Sequence, residues 1–120
     1  MEDPDELGRL PDISFEQFSM LDLRIGRVAS VEAFPQARLP ALKLWVDFGP
    51  VVGTLQTSAQ VTNYSKTDLI DRLVVGAINL GHKRVAGFRS EFLLLGALTK
   101  GNAVALLRPD PAARPGDRVG

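Results

Sequence analysis

Ala41-Leu42-Lys43-Leu44-Trp45-Val46-Asp47-Phe48 alternates with a period of two. Leu42, Leu44, Val46 and Phe48 fall on one face of an extended chain, and Lys43, Trp45 and Asp47 on the other. This is a strand with one face turned to a core. Gly49-Pro50 reads as a turn, Val51 to Thr57 as the antiparallel partner, and a polar run Gln56-Thr57-Ser58-Ala59-Gln60 follows. Upstream, Phe34-Pro35-Gln36-Ala37-Arg38-Leu39-Pro40 holds two prolines, which excludes a central strand and makes it a loop. Before that loop Leu21, Leu23 and Ile25 alternate with Asp22, Arg24 and Gly26, and the pattern runs irregularly through Val28 to Val31. A glycine inside such a strand suits a bend or bulge, which a small closed barrel requires.

Further out, Ile13-Ser14-Phe15-Glu16-Gln17-Phe18 carries a helix start. Ser14 can accept an amide of the first turn while Gln17 reaches back, with Ile13 opposite Phe18 as a staple. Phe15, Phe18 and Leu21 or Met20 share one side, so this helix is expected to dock on a barrel end or on a second subunit. Thr67 to Arg72 reads as one or two helical turns capped by Ser65 or Thr67. Leu73 to Leu80 is a strand apolar enough to be buried on both faces. Gly81 to Ser90 is a basic connection, Phe92 to Leu98 and Ala103 to Leu107 are further apolar runs, and Arg108 to Gly120, with Pro109, Pro111 and Pro115, suits an irregular or edge-strand tail. Five or so strands with a short helix between the third and fourth describe an all-β chain of the OB-fold kind, a five-stranded barrel. An SH3-like barrel or a small sandwich can be written from the same strands.

The 120 residues fit one domain, with residues 13–120 as the barrel and residues 1–12 as a flexible acidic tail. That tail holds five acids and one base, which leaves nine acids against thirteen bases and a body of about +4 in a chain of zero net charge. A basic body can meet a polyanion, and the tail can compete for the same face. The chain has no cysteine and a single histidine, His82, which removes disulfides, thiolate chemistry and multi-histidine zinc sites. No stretch approaches the ~18 apolar residues of a membrane span. No basic-then-apolar secretion signal opens the chain, so a soluble, cytoplasmic protein without membrane insertion is expected.

His82-Lys83-Arg84 with Arg89 is the densest cationic cluster, able to contact successive phosphates. Arg24, Arg27, Arg38 and Lys43 are further candidates, with a solvated surface as the alternative. Thr57, Ser58, Gln60, Asn79 and Ser90 place short polar groups near strand ends, where they can read sugar hydroxyls and base edges or simply cap the backbone. Trp45 can stack on a base or fill an interface. Phe34, Trp45 and Phe88 near the loops are candidates for holding an unfolded polypeptide. For catalysis the inventory is thin. Ser90-Glu91 has no orienting third group, no Gly-x-Ser-x-Gly elbow exists, and Asp68 and Asp71 read as solvated charges. Neither a phosphate-binding Gly-x-x-x-x-Gly-Lys loop nor a Gly-x-Gly-x-x-Gly turn is present. No catalytic residue, metal ligand or cofactor is expected.

Several pieces together resemble the tRNA-binding domain family, which occurs as free-standing proteins and as appendages of some aminoacyl-tRNA synthetases. They are Asp22-Leu23-Arg24-Ile25-Gly26, Pro35-x-Ala37-Arg38, Leu44-x-Val46-Asp47-x-Gly49, Leu69-Ile70, Val74 to Leu80 ending in Asn79-Leu80, and Arg84-x-Ala86-Gly87-x-x-Ser90-Glu91. They run in order over residues 13–107. Ile13-Ser14-Phe15-x-x-Phe18, Phe34-Pro35-x-Ala37-Arg38-x-Pro40-Ala41-x-Lys43-Leu44, the polar run from Gln56 to Gln60, and Ala86 to Glu91 are most similar to small bacterial members described as export-related chaperones. Phe92 and Leu93 stand where the synthetase appendages usually carry Gly-Met. The resemblance implies an OB-fold homodimer whose interface is built from the N-terminal helix and C-terminal strands. It also implies a non-catalytic protein that binds tRNA or another structured RNA through Arg38, Asn79, Lys83, Arg84, Arg89 and Ser90. The alternative it implies is a chaperone for unfolded or export-bound polypeptides.

Overall fold

The computed structural model describes residues 2–120. The chain forms α1 (Phe15–Ser19), β1 (Leu23–Ala33), β2 (Leu42–Asp47), α2 (Gly49–Val52), β3 (Thr54–Ala59), α3 (Lys66–Leu69), β4 (Leu73–Ala77), β5 (Lys83–Val85), β6 (Phe88–Ser90), β7 (Leu93–Leu94), β8 (Gly96–Leu98) and β9 (Val104–Leu106). The main sheet is antiparallel, in the order β3-β2-β1-β4-β7. It curls until the far edges almost meet, where Glu91 N–H donates to the Gln56 carbonyl at 2.8 Å. This is the expected five-stranded OB-fold barrel, with a short helix between the third and fourth strands.

Closure depends on β1, which gives residues 23–27 to β4 and residues 27–33 to β2. A strand shared in this way must coil. The bulge lies at Ala29, where the register with β2 shifts between Val28 and Ser30, not at Gly26, where the sequence pattern points. Gly26 serves a close approach instead: a Cβ there would lie 2.4 Å from Val46 Cγ1 and 2.9 Å from the Phe48 ring. Val28, Leu44, Val46, Phe48, Val61, Leu69, Val74 and Phe92 form the buried core. Phe48 and Phe92 meet edge to face, with centroids 5.0 Å apart. Leu44, Val46 and Phe48 are the inward face that the period of two predicts.

Three segments differ from the sequence reading. Gly49-Pro50 opens the helical turn α2 rather than a tight hairpin, because Gly49 takes a positive φ of 92° and Pro50 suits the first turn of a helix. Val51 therefore points to solvent, 95% exposed, and β3 starts at Thr54 instead of Val51. The fourth strand stops at Ala77, and Leu80 is exposed. The connection from Gly81 to Ser90 is an ordered hairpin, β5–β6.

Both expected caps form. Ser14 and Gln17, and likewise Ser65 and Asp68, exchange reciprocal bonds as capping boxes. The helix α1 buries none of its residues, so it does not plug the barrel end. The C-terminal tail is edge-strand in character. Gly116 N–H donates to the Ile25 carbonyl, Ile25 N–H to the Asp117 carbonyl and Val119 N–H to the Leu23 carbonyl, at 2.8–2.9 Å. The tail thereby covers the edge of β1 that β2 leaves open. Arg118 Nη2 also donates to the Ser19 carbonyl at 3.2 Å, so the two ends of the barrel's chain lie side by side.

Candidate nucleic-acid interface

The β5–β6 hairpin turns through Ala86-Gly87, both at positive φ (47° and 81°), as a two-residue turn of the kind that matches strand twist. Val85 and Phe88 close it, Arg84 lies opposite Arg89 and Lys83 opposite Ser90. With Val85 and Phe88 as the hydrogen-bonded pair, Arg84 and Arg89 occupy a non-hydrogen-bonded position, where side chains stand closest and backbone groups point away from the partner strand. Two guanidinium stems thus stand side by side, an arrangement that costs free energy without an anion.

Counter-charge is sparse there. Arg84 Nη1 donates to the Gly87 carbonyl at 3.1 Å, and the Lys83 side chain has no hydrogen bond or ion pair among the described residues. Arg89 is 51% exposed, with Nε 4.0 Å from Glu91 Oε2. Its Nη2 lies 3.3 Å from His82 Nδ1. Arginine can only donate, so Nδ1 is the acceptor when this contact is a hydrogen bond. Ser90 is half-buried beneath this surface. Buried Thr57 can give its one hydroxyl proton to the Phe92 carbonyl at 2.8 Å. Ser90 Oγ then donates to Thr57 Oγ1, also at 2.8 Å. In that arrangement the Ser90 hydroxyl presents only acceptor capacity to a ligand, suited to a ribose hydroxyl or a base amino group.

Rings fix the hairpin to the barrel. Phe88 lies edge to face between Phe34 (5.6 Å) and Trp45 (5.9 Å). Lys43 Nζ sits over both phenylalanine rings, 4.7 Å from the Phe34 centroid and 5.0 Å from that of Phe88, a favourable cation–π arrangement. The three aromatic residues singled out for peptide binding do come together. Phe34, however, is only 5% exposed and packs on its neighbours, while Trp45 and Phe88 keep half-buried surfaces.

The remaining predicted residues lie outside the hairpin. Arg38 belongs to the loop between β1 and β2, lining an open groove of about 410 Å³ with Phe34, Pro35, Ala37 and Pro40. Asn79 follows β4, and its carboxamide is engaged at both ends. Oδ1 accepts the Asp22 N–H at 2.8 Å and Nδ2 donates to the Met20 carbonyl at 2.7 Å, which ties α1 to the barrel. Arg24 pairs with Asp22 at 2.7 Å, and Arg27 donates to the Asp71 carbonyl.

Sequence reasoning did not single out Gln56, which lies opposite Trp45 in the β2–β3 register. Its Oε1 accepts the indole N–H at 3.1 Å and its Nε2 donates to the Arg89 carbonyl at 2.9 Å. The signal for this residue was the register itself, which α2 hides. Among the described residues no group of three or more His, Cys, Asp or Glu is placed to hold a metal ion, and no helix is long and apolar enough to cross a membrane.

A family model described as "Putative tRNA binding domain" matches residues 23–118. Two crystal structures of CsaA chaperone proteins superpose with a TM-score of 0.86. The one from Bacillus anthracis is 43% identical and the one from Picrophilus torridus 41%; they cover 92% and 91% of this chain and 100% of their own. The methionine–tRNA ligase of Thermococcus onnurineus is 39% identical over 115 residues, 95% of this chain but only 15% of the ligase. The chain therefore matches a small part of that enzyme. Matched along nearly its whole barrel by sequence and by shape, the chain belongs to the tRNA-binding domain family.

Proposed function

We propose that this chain is a non-catalytic, homodimeric, cytoplasmic binder of structured RNA, tRNA in the first place, which it grips by phosphate and sugar contacts. Arg84 and Arg89 on one face of the hairpin are the principal contacts, joined by Lys83 and Ser90 from its other face and by Arg38 and Asn79 as outlying members. The observation that carries this reading is the pairing of Arg84 with Arg89 across the hairpin. Two like charges placed opposite one another destabilise a hairpin, and a phosphate between them reverses the sign of the effect.

Filter binding of tRNA across a salt series tests the proposal. Affinity is expected to fall steeply with salt, and Lys83→Ala, Arg84→Ala and Arg89→Ala together are expected to flatten the log–log slope by about two to three, given nearly one counterion released per phosphate contact. The same triple variant should melt no lower than the parent, because the changes remove repulsion from an exposed hairpin. A salt-independent affinity, or a triple variant that binds as the parent does, overturns the reading.

A second reading, a chaperone holding unfolded or export-bound polypeptides, is favoured by the half-buried Trp45 and Phe88 and by the exposed apolar residues Ile13, Phe15 and Met20. Suppression of client aggregation that excess tRNA does not diminish supports it, and suppression abolished by tRNA counts against it.

A further inference from the structure

We infer that Gln56 is a positioning residue of the cationic hairpin, aiming Arg89 through its carboxamide and coupling that aim to Trp45; the inference rests on the RNA-binding function proposed above. The backbone of Arg89 faces away from β5, as its place in the hairpin register requires, so its carbonyl needs a partner elsewhere. Gln56 Nε2 supplies it at 2.9 Å. The orientation of the carboxamide is fixed by chemistry. The indole N–H of Trp45 can only donate and the Arg89 carbonyl can only accept, so turning the amide over would lose both bonds.

Gln56 also acts on the arginine from the other side. Its backbone N–H donates to Glu91 Oε1 at 3.1 Å, which leaves Glu91 Oε2 to face Arg89 Nε at 4.0 Å. The guanidinium is thus steered without being neutralised. Barrel closure does not need the Gln56 side chain, because the Glu91 N–H to Gln56 carbonyl bond is made by backbone alone. The side chain adds a second, separable link, running from the sole tryptophan through Gln56 to Arg89.

The test is a double-mutant cycle on tRNA affinity at one fixed salt concentration, with tryptophan emission recorded in the same titrations. Gln56→Met keeps the volume and the backbone bonds and removes both side-chain bonds. It is expected to weaken binding about fivefold in the parent, the worth of one ordinary hydrogen bond, and to have no further effect in an Arg89→Ala background. Trp45 emission is expected to change on tRNA binding in the parent and to stay flat in Gln56→Met at concentrations that still saturate it. Should Gln56→Met fail to fold, Gln56→Leu, which likewise removes both side-chain bonds and adds no charge, is put through the same cycle with the same loss expected. Equal losses with and without Arg89, or no loss in a folded variant, overturn the inference while leaving RNA binding intact. A parent chain that does not bind tRNA overturns the proposed function and the inference with it.

Discussion

Gly26 shows how one missing methyl group can set the curvature of a barrel. With Val46 Cγ1 2.4 Å and the Phe48 ring 2.9 Å from where a Cβ would stand, Gly26→Ala must push β1 away from the ring that fills the centre of the core. Overpacking of this kind costs about 1–3 kcal/mol. The upper part of that range is expected here, because Phe48 is also held by Phe92. Urea denaturation of the variant should show a lower midpoint, while the fraction that remains folded binds RNA as before. At this scale the cations Lys83, Arg84 and Arg89 were visible in the sequence as a cluster. Their shortage of acidic partners was not: Arg89 alone has one, Glu91, whose Oε2 stands 4.0 Å from the Nε, and only the geometry shows that Lys83 and Arg84 have none.

Among the elements, the β5–β6 hairpin carries both the proposed contact residues and an evident weak point. Ala86 takes φ 47°, a left-handed conformation that costs an ordinary L-residue about 1–2 kcal/mol and asparagine less. Ala86→Asn, which makes the preferred Asn-Gly turn, is expected to stabilise the chain by about 0.5–1 kcal/mol, read as a higher melting temperature with tRNA affinity unchanged or improved. The same alanine explains why the sequence reads as a plain basic connection: Ala-Gly lacks the Asn-Gly or Asp-Gly signal of a tight turn. Strand faces in β2 were legible because a period of two needs no knowledge of partners, and β4 because an unbroken apolar run asks for burial on both faces. Register was not, since it depends on how the chain turns between strands. The helical turn at Gly49–Val52 shifts the register by two residues, so that Gln56 rather than Thr54 lies opposite Trp45, and the link to the hairpin could not be read from spacing.

For the whole molecule, the helix α1 stands off the barrel with Phe15 81% exposed and with Ile13 and Met20 also turned outward, as a surface awaiting a second copy would be. Phe15→Glu with Met20→Glu is expected to convert a dimer to a folded monomer in sedimentation, with circular dichroism unchanged because the helix contributes nothing to the core. A parent chain that sediments as a monomer at high concentration removes the dimer from the proposal. The contact of Arg118 with the Ser19 carbonyl bears on a different question. A barrel that the chain enters and leaves at neighbouring points can be joined to another polypeptide without stretching its host. Such plug-and-socket geometry is compatible both with a barrel that stands alone and with one carried as the outboard handle of a far larger machine.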